Sequence, residues 1–377
     1  MRAFLLTIPV IAILFLFTVT MTPKKEPATT LSSRKKIHAN LSQKLSHMPD
    51  DDLQKALSLQ LAEESRGSGV VAGKISLAGQ PIFVKKIRIT DTEMLEKNQF
   101  STANHFNLPL HYYRPKYTGF GVWRELYCCQ KATEWVLSNK CVSFPLLYHF
   151  RILKKEKRFY HSIDWAENDS PEINSFLNEH QNATHELVLF FEYIPKTLEE
   201  WLIEEIKTKT EDEFGNAIQL VLKKLHALAS FLRNEGLIHI DPHVQNILVQ
   251  EDDLFITDFG LAAMNDFDLT PTEKYYILNN IYFTERALTT YLYKELLNYY
   301  FFDPKSQKAH RYDGTAASNN TSDFFVKNYK TAEVFIQEMK KKEEDPLRLF
   351  PLDETMDNLI KNAPNECPYQ DEINDES

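Results

Sequence analysis

At 377 residues, with 43% hydrophobic and 12% aromatic side chains, the chain can hold one two-lobed domain with tails or two small domains around a substantial core. A formal net charge of −10 is not the footprint of a nucleic-acid binder. The cysteines Cys128, Cys129, Cys141 and Cys367 have no metal-like spacing and are expected to be unpaired thiols rather than a disulfide framework.

In chain order, Ala3 to Met21 is an almost wholly apolar run without charge, at the short end for a membrane helix. It reads as an uncleaved anchor in residues 1–21, with a cleaved signal peptide as the competing reading. The basic flank after it (Lys24, Lys25, Arg34, Lys35, Lys36) puts the remainder in the cytoplasm if the run is an anchor. A cleaved signal would send the remainder outside. Residues 22–64 are expected to be a basic linker, with a short helix over Leu53 to Leu61. A glycine-rich bend, Arg66 to Gly73, then leads into two strands around a turn at Ala78 to Pro81. Glycines such as Gly67 and Gly69 let backbone N–H groups approach phosphates closely. The second strand, Ile82-Phe83-Val84-Lys85-Lys86-Ile87, sends Lys85 and Lys86 to opposite faces. Residues 90–120, rich in Tyr, Pro and His, read as an insertion.

Gly121 to Leu137 is a helix by its apolar period, with Glu125 and Glu134 on it. Phe144 to Leu153 and Glu186 to Ile194 read as strands, and Asp164 to Ala183 as a polar excursion. Glu213 to Asn234 is a strongly amphipathic helix. After it comes Gly236 to Ala263, which holds His239-x-Asp241, Asn246, an apolar hairpin over Ile247 to Ile256, and Asp258-Phe259-Gly260. Lys274 to Tyr300 reads as one helix, Tyr312 to Thr321 as a loop and Phe324 to Lys342 as a helix. Residues 336–377 form an acidic tail, expected to be partly disordered.

The Gly236 to Ala263 stretch suits phosphoryl transfer. That chemistry needs a carboxylate to take the proton of an attacking hydroxyl and oxygen ligands for Mg²⁺. Asp241 is placed for the first task. Asn246 and Asp258 are placed for the second, as hard oxygen donors on separate loops.

The same residues resemble the catalytic loop and Asp-Phe-Gly segment of the protein-kinase-like superfamily. The resemblance spans about residues 65 to 335. It implies an α+β fold of two lobes: a small antiparallel-sheet lobe over residues 65–195 and a larger helical lobe over 196–335. It implies ATP and Mg²⁺ as cofactors, Lys85 (or Lys86) on the nucleotide phosphates and Glu125 (or Glu134) as its partner. His239 would brace the loop, and hinge backbone near Glu192, Tyr193 and Ile194 would meet the adenine. The expected function is transfer of the γ-phosphate to a hydroxyl, by default a protein serine or threonine.

Two departures bear on the substrate. Position 243 is His where Ser/Thr kinases carry lysine, and Asp241 to Asn246 is similar to the H-x-D-x-H-x-x-N loops of aminoglycoside phosphotransferases and lipopolysaccharide sugar kinases. No Ala-Pro-Glu motif closes the segment after Ala263. A glycan or small-molecule kinase is therefore the first alternative, and a membrane-tethered pseudokinase scaffold the second.

Overall fold

The computed structural model describes residues 30–61, 70–108, 121–155 and 171–342. The expected anchor or signal at 1–21, Gly67, Gly69, part of the 90–120 insertion and most of the acidic tail lie outside them. Among the described residues no helix is long and apolar enough to cross a membrane.

The first described elements correct the linker expectation. Helix α1 (Leu31–His47) starts at Thr30, whose hydroxyl accepts the Ser33 N–H. Helix α2 (Asp50–Gln60) opens with three aspartates, which suit the positive end of its dipole. Leu41, Leu45, Leu53 and Leu57 are at most 1% exposed. Burying each such leucine is worth about 1.5–3 kcal/mol, more than a solvated tether could forgo. Residues 31–60 are thus part of the folded lobe.

The lobe itself is a four-stranded antiparallel sheet of order β1-β2-β4-β3. Strands β1 (Val70–Leu77) and β2 (Gln80–Ile89) meet at Ala78 and Gly79, with φ of 54° and 79°. That pair of positive φ angles makes the turn whose twist matches a hairpin, and glycine meets it at no steric cost. After β2 come a short helix, α3 (Asp91–Met94), and the long helix α4 (Val122–Leu137). Then follow β3 (Leu147–Lys154), α5 (Pro171–Asn182) and β4 (His185–Glu192). Cys128 and Cys129 on α4 are free and buried, as expected, whereas Cys141 is disulfide-bonded and departs from the unpaired set.

The chain crosses to the large lobe after Glu192. Strand β5 (Lys196–Thr197) leads into α6 (Leu198–Thr208) and α7 (Glu211–Asn234), each opened by a threonine–glutamate capping box. Strand β6 (Leu237–His239) pairs with β9 (Ala262–Met264). Between them lies the hairpin of β7 (Ile247–Gln250) and β8 (Asp253–Ile256), as the sequence predicts. The expected single helix over 274–300 is two, α8 (Pro271–Asn279) and α9 (Phe283–Leu296). Asn280 stops the first one: its N–H and its side chain take the carbonyls of Ile277 and Tyr276, which would otherwise be orphaned. A further hairpin, β10 (Tyr300–Asp303) with β11 (Lys308–Arg311), precedes α10 (Asn319–Lys342). Among the described residues the fold is α+β, a small antiparallel-sheet lobe followed by a larger, mainly helical lobe.

Candidate active site

The cleft between the lobes collects residues from β2, α4, the turn after β6 and the turn after β8. Lys85 lies on β2 opposite Ala72 of β1 and Leu189 of β4. Its Nζ donates to Glu125 Oε1 at 2.5 Å and to Asp258 Oδ1 at 2.8 Å. Strand alternation sends Lys86 to the other face, where it forms an ion pair with Glu186, both side chains at most 1% exposed. Glu134 is exposed on α4 and pairs with Lys131 one turn before it. Of the two alternatives at each position, Lys85 and Glu125 are therefore the ones that meet. A direct check is substitution by methionine. Lys85→Met should abolish the phosphotransferase turnover proposed below; it also takes the ammonium from Glu125, whose side chain is 4% exposed, so its unfolding midpoint is measured beside the activity. Lys86→Met should lower the unfolding midpoint, because it removes the ammonium paired with the buried Glu186 carboxylate. Equal loss of turnover in two equally stable variants would contradict the assignment.

Asp258 sits in the left-handed region at φ 62°, ψ 73°, with its side chain 44% exposed toward the cleft. Burial pushes its carboxyl up, but the Lys85 ammonium and the Gly260 N–H outweigh that and hold it below the usual carboxylate range. Burial works against the Lys85 charge too, yet Asp258 and Glu125 together raise it above an ordinary lysine. Gly260 is set by close approach: a Cβ there would lie 3.1 Å from Glu125 Oε2. The residue after Asp258-Phe259 must be small for α4 to come this near.

The turn after β6 carries Asp241 and Asn246. Asn246 donates its Nδ2 to the Asp241 carbonyl at 2.9 Å. That commits the amide nitrogen and leaves the amide oxygen as the atom a metal would use. The Asp241 side chain is 21% exposed, and His243 Nε2 is 3.7 Å from its Oδ2. His239, expected from sequence to brace the loop, is 0% exposed. Its Nε2 lies 2.9 Å from the Thr257 carbonyl, its backbone N–H donates to Thr284 Oγ1, and its ring meets that of Phe259. Burial lowers its pKa and keeps it neutral, so it is a brace between the two turns.

Glu192 ends β4 and Ile194 follows it, both buried where the chain crosses between the lobes, and the Glu192 side chain is engaged by the protein itself. Its carboxylate takes Arg34 Nε and Nη2 at 2.9 and 2.8 Å and the Leu146 N–H at 3.1 Å. Arg34 also donates to the carbonyls of Val142 and Phe144. Sequence reading placed Arg34 in a basic linker and missed this clamp. Gly73, the last residue of the expected glycine-rich bend, lies within β1 with Leu61 against it; a Cβ there would stand 3.0 Å from that side chain.

Asn246 and Asp258 offer the hard oxygen donors that Mg²⁺ prefers. Mg²⁺ takes one or two protein oxygens and completes its shell with phosphates and water. Among the described residues no group of three or more His, Cys, Asp or Glu stands ready to hold a metal unaided.

No protein-family model matches the chain, and no curated protein matches it in sequence. Among solved structures it is similar to WaaP in complex with acyl carrier protein, at 11% identity and a TM-score of 0.35, covering 83% of this chain and 91% of that one. A likeness at that level decides nothing about chemistry, which rests on the side chains described above.

Proposed function

We propose that the protein is an ATP- and Mg²⁺-dependent phosphotransferase acting on a hydroxyl. The observation that carries this reading is the three-way contact of Lys85 with Glu125 and Asp258, drawn from β2, α4 and the turn after β8. A binding scaffold has no chemical need for a lysine held by two carboxylates together with a further aspartate and an asparagine on the neighbouring turn, and this disfavours the pseudokinase reading. In the proposed reaction Lys85 grips the nucleotide phosphates and Glu125 fixes the lysine. Asp241 takes the proton of the acceptor hydroxyl as its oxygen attacks the γ-phosphorus and ADP leaves. Asn246 and Asp258 hold Mg²⁺, which when bound neutralises charge on the transferring phosphate.

Two features favour a sugar or small-molecule hydroxyl over a peptide. His243, its ring centroid 6.2 Å from that of Tyr291, stands beside Asp241 at the position where protein kinases carry a lysine. The segment after Asp258 is short: it pairs as β9, turns, and enters α8 at Pro271, leaving little chain for a peptide-docking platform. Full-length protein with γ-labelled ATP and Mg²⁺ should transfer label to an acceptor in a lysate fraction of glycans and lipids, and Asp258→Ala should not. Label appearing only on protein bands would reverse the acceptor class. Equal transfer by Asp258→Ala would sink the site.

A further inference from the structure

Beneath α4 lies a second polar cluster that the proposed chemistry does not use. Arg124, the neighbour of Glu125, is 1% exposed. Its Nε donates to the Thr102 carbonyl at 2.6 Å and its Nη1 to Glu273 Oε1 at 2.9 Å, and its guanidinium lies 5.1 Å from the centre of the Phe267 ring. Glu273 is fixed in turn. Its Oε2 takes the Thr270 N–H in the capping box of α8, and Asn104 Nδ2 reaches its Oε1 at 3.3 Å. Asn104 is held by both backbone groups of Leu108, and Thr102 Oγ1 accepts the Asp268 N–H at 2.8 Å. Three segments are thereby tied into one unit: residues 102–104 of the insertion, α4, and the chain from Phe267 to Glu273 that follows Asp258.

We propose that this unit is a built-in strut that holds α4 in its working position, with Glu273 supplying the fixed anion that switchable kinases obtain by phosphorylating the segment after the metal-binding aspartate. Arg124 is then a positioning residue acting through Glu125, and the unmodified chain keeps Glu125 on Lys85. The consequence for turnover rests on the phosphotransferase reading, whereas the position of α4 does not. That position can be read without any activity, because Cys128 and Cys129 are buried on α4 at 0% and 4% exposure. Burial also pushes both thiols up, away from the reactive thiolate.

The test is native-state alkylation of the full chain by iodoacetamide, with the rate at Cys128 and Cys129 followed by mass spectrometry. Wild type should be slow, before and after phosphatase treatment. Arg124→Met and Glu273→Gln should each label at least about tenfold faster, with unfolding melts showing a folded chain, and the double variant should be no faster than the faster single one. In a turnover assay the same variants should lose kcat. Should Arg124→Met fail to fold, Glu273→Gln and Asn104→Ala carry the test. Protection unchanged in the folded variants overturns the proposal, as does a wild type protected only when phosphorylated. Accelerated labelling in a protein without phosphotransfer keeps the strut and removes the proposed function instead.

Discussion

Asp241→Asn is expected to lower kcat by about 10²–10⁴-fold, the usual contribution of a positioned base, while the KM for ATP stays within about twofold. The substitution keeps the shape of the side chain and removes only its basicity. The backbone of residue 241 is held independently, since its carbonyl receives Asn246 Nδ2. The nucleotide contacts proposed for Lys85 and the hinge lie on the other lobe, so affinity for ATP should not follow the loss. Steady-state kinetics separate the outcomes. A fall in kcat alone places Asp241 on the acceptor proton. A rise in KM alone would make it a phosphate or metal contact. No change in either would leave the reaction without a base at this position.

The second large effect is on stability. Arg34→Ala should cost about 3–5 kcal/mol in urea unfolding, because it leaves the Glu192 carboxylate buried without its partner. The side chains of the pair are 6% and 10% exposed, so solvent does little to relieve that charge. Arg34 also lies 5.0 Å from the centre of the Phe255 ring, which ties the same guanidinium to the β7–β8 hairpin. Removing both charges, as in Arg34→Met with Glu192→Met, should recover much of the loss, since an apolar pair of similar volume carries no desolvation penalty. A single substitution that costs less than about 1 kcal/mol, the range of an exposed pair, would show that water reaches the pair in solution.

Much of this architecture is legible in the residues themselves. The β1–β2 and β7–β8 hairpins follow from short apolar runs around polar or glycine turns, and α4 and α7 from apolar residues at helical spacing. The contact of Lys85 with Asp258 is implied by motif order once the fold is recognised. Choosing Lys85 over Lys86 is a matter of register, which alternation restricts but only the sheet decides. Arg34 was not legible. It sits in a run of basic residues with few apolar neighbours, and its partner Glu192 is 158 residues away in sequence. Local pattern carries no information about such a pair. The break at Asn280 was hidden for a different reason: asparagine is an ordinary if weak helix resident, and only its hydrogen bonds to Tyr276 and Ile277 show that it ends α8. Arg124 had a faint signal: its neighbours one turn further along the helix are Tyr127 and Cys128, neither of which offers a carboxylate to pair with it locally.

Helix α1 has a last consequence, for modularity. In a protein whose catalytic unit began at the glycine-rich bend, the residues before it could be exchanged for another targeting segment without touching the chemistry. Here they cannot, since the first helix supplies a side chain to the joint between the lobes. A shortened chain that starts at residue 65 would look complete by motif and yet lack part of its hinge. Silence from such a fragment would say nothing about whether the natural protein is an enzyme. The unit that evolution, or an engineer, can move as a piece begins no later than Thr30.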